Sequence, residues 1–281
     1  MSKLIFSAFS DEYAKSFEEQ LEGMNGFGIS HIELRFIDGR NVSELSAEEG
    51  KELKKRLDEK GISVSAIGSP LGKIKLDGDM KGHFEKARQI FELANIMKTP
   101  FVRAFSFYAP AGKDIHDCKD DAFGALADMI AIAREYGVTL CHENEAKIYG
   151  DTPVYCRELL DAFGGELKCV FDMGNFVLEG VDPYPEAYKL LREHIAYFHI
   201  KDALAQGAIV PPGKGDAKIA SILSAHADYA REPFFVTLEP HLQTFSGLNA
   251  LVGRTFENPY RYEDEKTALA DAVTKLRELI Q

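Results

Sequence analysis

The sequence predicts an α/β fold built as a single closed (β/α)8 TIM barrel over residues 1–281. Short apolar runs alternate with helix-like segments along the whole chain, the signature of a parallel sheet with helical crossovers. Eight strands and eight helices, with no linker-like or low-complexity stretch between them, close a barrel more naturally than an open sheet, because no edge strand then needs protection. The length of 281 residues also suits one such barrel, which typically takes about 250 residues.

The expected strands are 3–9, 31–37, 62–68, 100–107, 137–143, 167–172, 195–201 and 234–240. They are short, bounded by turn residues, and rich in β-branched and aromatic side chains, as in Phe234-Phe-Val-Thr-Leu238. Helices are expected at 14–25, 46–60, 80–98, 117–136, 152–163, 183–193, 217–230 and 263–280. Ser46-Ala-Glu-Glu49 carries the Ser-x-x-Glu capping box, and Asp151-Thr-Pro153 offers an N-cap followed by an early proline. Gly61, Gly137 and Gly164-Gly165 fall just past helix ends, where a left-handed cap is needed. The loops before helices are long at 69–79, 202–216 and 241–262, whereas the returns after helices are mostly short. That asymmetry marks one end of the barrel as the functional face. Phe245, Phe256, Tyr260 and Tyr262 in the last loop are suited either to a lid over the mouth or to packing against a second subunit, so a homo-oligomer stays open.

With 45% hydrophobic and 28% charged residues the chain can fill a large core and still coat its surface. A net charge of −12 sets a repulsive average field against a polyanion, so no nucleic-acid partner is expected. Cys118, Cys141, Cys156 and Cys169 form no C-x-x-C pair, and a reduced, cytoplasmic thiol set is the expectation. Met1-Ser-Lys-Leu-Ile-Phe-Ser7 lacks the layout of a signal peptide. No window approaches the roughly 20 apolar residues needed to span a bilayer, so a soluble chain without a membrane partner is expected.

Glu143, Asp172, His199 and Glu239 lie at, or within two residues of, the C-terminal ends of the fifth to eighth predicted strands. A parallel barrel gathers its strand ends at one mouth, so these distant residues can converge. Three carboxylates and an imidazole form a hard ligand set for one divalent ion, Mn²⁺, Zn²⁺ or Mg²⁺. Each residue has an alternative: Glu143 could pair with Arg103, Asp172 could cap a helix, and His199 could be a satisfied core histidine. Nothing about barrel stability requires four such groups at these positions. Around them, Lys201 alternates inward with His199, set either to meet substrate or to pair with Glu239 or Asp172. Asn175 can point back to the mouth from the Asp172-Met-Gly-Asn175 turn. Glu145, His241 and Arg103 complete the candidate substrate contacts, with Glu33 and Arg35 alternating on the second strand. The loop Val210-Pro-Pro-Gly-Lys-Gly-Asp216 reads as a structural turn rather than a phosphate cradle, although glycine-rich turns at helix starts can bind phosphate.

Glu143-Asn-Glu145, Asp172-Met-Gly-Asn175, His199-Ile-Lys-Asp202, Pro212-Gly-Lys-Gly-Asp216 and Leu238-Glu-Pro-His241 together resemble the xylose isomerase-like barrel superfamily, in its sugar phosphate isomerase/epimerase group. Ile32-Glu-Leu-Arg35 and Ser69-Pro-Leu-Gly-Lys73 fit its early strands. The resemblance implies that Glu143, Asp172, His199 and Glu239 hold the metal. It implies further that Glu143 and Glu239 move protons on opposite faces of a small keto-sugar, polyol or sugar phosphate, through a metal-stabilised enediolate. A metal-dependent lyase of the inosose dehydratase kind would use the same scaffold; a non-catalytic sugar sensor is a third reading. Asn175 stands where tagatose- and psicose-type epimerases carry a histidine. Arg35, Ser69 and Asn175 stand where endonuclease IV carries extra zinc-binding histidines, which argues against a DNA-repair role.

Overall fold

The computed structural model describes residues 3–242 and 258–280. Its eight parallel barrel strands are β1 (Leu4–Ala8), β2 (His31–Leu34), β3 (Ser63–Ile67), β4 (Phe101–Ala104), β5 (Thr139–Glu143), β6 (Leu167–Asp172), β7 (Ile195–Ile200) and β8 (Phe234–Leu238). Each lies beside the next, and β8 closes the ring onto β1. Register shifts once in β2–β3, between Ile32 and Glu33, and once in β6–β7, between Cys169 and Val170, and two further ladders are interrupted almost entirely. Between β1 and β2 only Ala8 registers with Ile32, and between β3 and β4 only Ile67 registers with Val102.

Around the barrel run α1 (Phe17–Gly26), α2 (Ala47–Glu59), α3 (Met80–Met97), α4 (Lys119–Glu135), α5 (Pro153–Ala162), α6 (Met173–Leu178), α7 (Tyr188–Leu191), α8 (Ile219–Tyr229) and α9 (Glu265–Ile280). The Ser46 capping box is present in full, with the Ser46 hydroxyl accepting from the Glu49 amide and the Glu49 side chain accepting from the Ser46 amide.

Three elements differ markedly from expectation, and a fourth has no span assigned from sequence. The second strand ends at Leu34 rather than residue 37, because Phe36–Ile37 folds back onto Arg40–Asn41 as a hairpin around Gly39. The fourth ends at Ala104 rather than 107; Phe107 takes a left-handed φ of 68°, which no strand accommodates. The expected helix 183–193 is regular only over Tyr188–Leu191. Pro183 and Pro185 withdraw two amide donors ahead of it, and Tyr184 between them is extended. No helix is assigned to 173–178 from sequence, but the cap read as an alternative for Asp172 is present: α6 starts directly off β6, with the Asp172 side chain accepting from the Asn175 amide.

Apolar residues form two sets. The larger lies between strands and helices and includes Leu21, Leu57, Phe91, Leu126, Leu160 and Leu223. The smaller consists of Ala66, Cys141, Val170 and Tyr197, with Phe101 and Phe235 against it. Alternation along the strands places this second set inside the barrel, beneath the mouth. All four cysteines are free and buried. Among the described residues, no helix is long and apolar enough to cross a membrane.

Candidate metal centre

Each residue of the expected quartet reaches the mouth because its strand ends there in register. Asp172 pairs with His199 across β6 and β7, Thr237 pairs with His199 across β7 and β8, and Glu239 lies two residues beyond Thr237. One donor atom from each of Glu143, Asp172, His199 and Glu239 lies within 4.8 Å of all the others, and all four residues are buried.

The imidazole stands at the centre. Its Nδ1 is 3.1 Å from Glu143 Oε1 and 3.1 Å from Glu239 Oε2. Metal–ligand bonds of about 2.0–2.2 Å place neighbouring ligands about 3.0–3.5 Å apart, so these edges have the length of a coordination shell. Glu239 Oε2 is buried yet accepts no hydrogen bond. An orphaned carboxylate oxygen aimed at a nitrogen and a second carboxylate fits a divalent cation between them. The donor set, three oxygens and one nitrogen, is of the hardness that Mg²⁺, Mn²⁺ and Zn²⁺ accept.

The remaining carboxylate oxygens are held from behind. Glu143 Oε2 accepts from Arg103 at 3.1 Å, and Arg103 also donates to the Gly68 and Ser69 carbonyls. Glu239 Oε1 accepts from Arg35 at 2.8 Å, and the same guanidinium binds Asp11 at 2.8 Å and Glu12 at 3.3 Å. Asp172 has two tasks: one oxygen caps the Asn175 amide at 2.8 Å, and the other accepts from Lys201 at 2.9 Å. Gly174 makes this possible, since a Cβ there would meet the Lys201 side chain at 2.7 Å.

Charge follows from these contacts. Burial pushes the Glu143 carboxyl up, but His199 and Arg103 overcome it and hold it at about 2. Burial likewise opposes the charge on Glu239, and Lys201, His241 and His199 carry it well below the carboxylate range. Both glutamates are therefore ionised at neutral pH. Asp172 goes the other way: burial, with Glu143 and Glu239 nearby, raises it to about 7 against the pull of Lys201. His199 would lose its charge on burial alone, but Glu33, Glu143 and Glu239 hold its pKa well above the usual range. Lys201 is buried, yet Asp172, Glu239 and Glu143 keep it charged.

The other expected residues divide. Asn175 faces the mouth, donating to Glu143 at 3.4 Å and to the Asn144 carbonyl at 2.9 Å, and accepting from Lys201 at 3.0 Å. Arg103 is part of the ion-pair network and holds Glu143. Glu145 stands at the rim, paired with Lys73 at 3.0 Å. His241 is also at the rim, 3.2 Å from Glu12 and 3.4 Å from Glu239. Phe245 and Phe256 lie outside the described residues.

The Pro212-Gly-Lys-Gly-Asp216 loop is a structural turn. Its amides converge on the Asp202 carboxylate, with Gly213, Gly215 and Ala217 donating at 2.7, 3.0 and 3.1 Å. A Cβ on Gly215 would come within 2.3 Å of Asp202 Oδ1, so the turn is shaped around that side chain.

Two contacts were missed from sequence. Arg35 clamps Glu239, and Glu33 lies 2.9 Å from His199 Nε2. Alternation on the second strand indicated that both could face inward; their partners depend on barrel register.

A search of curated proteins finds no match for this chain. Among solved structures, the IOLI protein with a bound zinc atom superposes with a TM-score of 0.72 at 18% identity, covering 99% of this chain and 98% of that one. L-ribulose 3-epimerase superposes with a TM-score of 0.70 at 17% identity, covering 98% and 94%. The probable 3-DHS dehydratase AsbF of Bacillus anthracis gives 0.69 at 21% identity, covering 83% and 92%. At such identities these likenesses establish the fold alone. The family model described as xylose isomerase-like TIM barrel matches residues 24–277. The chain belongs to that family.

Proposed function

We propose that this protein is a divalent-metal-dependent isomerase or epimerase of a small keto-sugar or polyol, with Glu143 and Glu239 as the proton-moving pair. One observation carries the reading. Two buried, ionised glutamates flank His199 Nδ1, each directing one oxygen to the shared cluster and giving the other to an arginine. A bound divalent ion would supply Lewis acidity, making a carbon next to a substrate carbonyl more acidic.

Glu143, Asp172, His199 and Glu239 would hold that ion. His199 and Arg103 keep Glu143 ionised, and Lys201, His241 and His199 do the same for Glu239, so that one can accept a proton from carbon and the other, once protonated, can return one. Lys201 and Asn175, joined by a hydrogen bond beside Asp172, are placed to hold substrate hydroxyls. The amides of the 213–217 turn are committed to Asp202, which favours a non-phosphorylated substrate over a sugar phosphate.

A lyase reading has one observation in its favour. Lys201 is a buried ammonium at the same site and could protonate a departing hydroxyl. Product NMR in D₂O separates the two: isomerisation conserves substrate mass apart from exchange, whereas dehydration loses water.

Native mass spectrometry is expected to find about one divalent ion per chain. Glu239→Gln should abolish turnover while leaving the circular dichroism spectrum and melting temperature near those of the parent. A protein that takes up no metal under any loading condition would end this proposal.

A further inference from the structure

We infer that Glu33 is a positioning residue that decides which nitrogen of His199 meets the metal, with Tyr197 anchoring it. The inference rests on the metal site proposed above. Glu33 lies on β2, three strands round the barrel from β7, and is completely buried. Both its oxygens are engaged: Oε2 is 2.9 Å from His199 Nε2, and Oε1 accepts from the Tyr197 hydroxyl at 3.1 Å. Tyr197 and His199 are two residues apart on one strand and so face the same way, into the barrel. Glu33 reaches across the interior to both.

Burying a carboxylate inside an apolar barrel is unfavourable unless it is held, and the inner layer of Ala66, Cys141, Val170 and Tyr197 gives no packing reason for one. What Glu33 does provide is an acceptor for a proton on Nε2. With the proton there, the lone pair of the neutral ring is on Nδ1, the atom that faces Glu143 Oε1 and Glu239 Oε2. The other tautomer would turn an N–H toward the metal position and a lone pair toward a carboxylate.

Rotating the ring by half a turn would put carbon atoms at both positions and lose both contacts. Phe9 packs against the ring edge-on, with centroids 5.1 Å apart, and limits that rotation. A carboxylate behind a metal-binding imidazole also makes it a better donor, and removing such a partner typically lowers metal affinity by about 10- to 100-fold.

The test measures Zn²⁺ affinity by competition with a chromogenic chelator for the wild type, Glu33→Leu, Glu33→Gln and Tyr197→Phe. Long-range ¹⁵N–¹H NMR reads the His199 tautomer in the Zn²⁺-loaded proteins. Expected are an Nε2–H tautomer in the wild type and a loss of about 10- to 100-fold in Glu33→Leu. Glu33→Gln, which still presents an amide oxygen, should keep the tautomer and lose less. Tyr197→Phe frees Glu33 at one end and should fall between Glu33→Gln and the wild type. Should Glu33→Leu not fold, the Gln and Phe variants decide by the same two readouts.

An Nδ1–H tautomer in the loaded wild type overturns the inference, as does undiminished Zn²⁺ affinity in the folded variants. A wild type that binds no Zn²⁺ instead removes the metal site itself, a different result from one in which Zn²⁺ binds but ignores residue 33.

Discussion

On the function proposed above, Lys201 and Asn175 set the branch of chemistry. Sequence alone suggests that a cation near Lys201 would ease its proton off. In the folded chain Asp172, Glu239 and Glu143 surround it and pull the other way, toward the ammonium. A residue so charged can donate to a substrate oxygen but cannot take a proton from carbon. Lys201→Met is expected to lower turnover at least about a hundredfold, an ordinary acid–base contribution, with metal stoichiometry unchanged. Asn175 can orient a hydroxyl but neither give nor take a proton at neutral pH. Asn175→Ala should therefore raise KM more than it lowers kcat. Steady-state kinetics with the identified substrate checks both, and unaltered rates in Lys201→Met would reduce that residue to an ion-pair partner of Asp172.

At the level of elements, the barrel was legible because each strand needs only a short apolar run and each helix only an amphipathic one. The Ser46 capping box is entirely local and came through intact. What sequence missed depends on a few special residues or on distant partners. Two prolines unwind 183–187, Gly39 turns a strand end into a hairpin, and the cap open to Asp172 starts a short helix to which sequence assigns no span. The convergence of Glu143, Asp172, His199 and Glu239 could be read from strand ends alone, whereas the partnership of Glu33 with His199 requires knowing that β2 and β7 face each other. Helix α8 offers a measurable property of an element. His226 on this helix is buried between Phe198 and Phe234, with ring centroids 4.8 and 4.7 Å away, and burial lowers it to about 4. The unfolded chain would protonate the same ring near pH 6.5. Because the folded pKa is the lower one, the unfolded state binds more protons between these values, and stability is full above about 6.5 and lost as pH falls toward about 4. The loss attributable to this ring is at most about 3 kcal/mol. Urea titrations at pH 7 and pH 5 should show a smaller acid loss in His226→Gln than in the wild type; equal losses would mean that the ring is not held neutral.

For the whole molecule, the two interrupted ladders matter more than their size suggests. They divide the barrel into a short arc, β2 with β3, and a long arc running from β4 round to β1. The four proposed metal ligands all belong to the long arc, at or just past the ends of β5, β6, β7 and β8. Across the seams the ladder bonds are sparse, but polar side chains bridge the arcs at the mouth. Glu33 reaches His199, Arg35 reaches Glu239, and Arg103 reaches the Gly68 and Ser69 carbonyls. Occupying the site would tighten the residues at the far end of these bridges, so a ligand touching only one arc would clamp both. Hydrogen–deuterium exchange would then slow on metal loading at Ile32 and Val102, the residues at the seams, more than at the β5–β6 ladder near the ligands. Protection confined to the strands that carry the ligands would show that the arcs move independently. If they are clamped together, the proposed metal site is also the latch that closes the barrel.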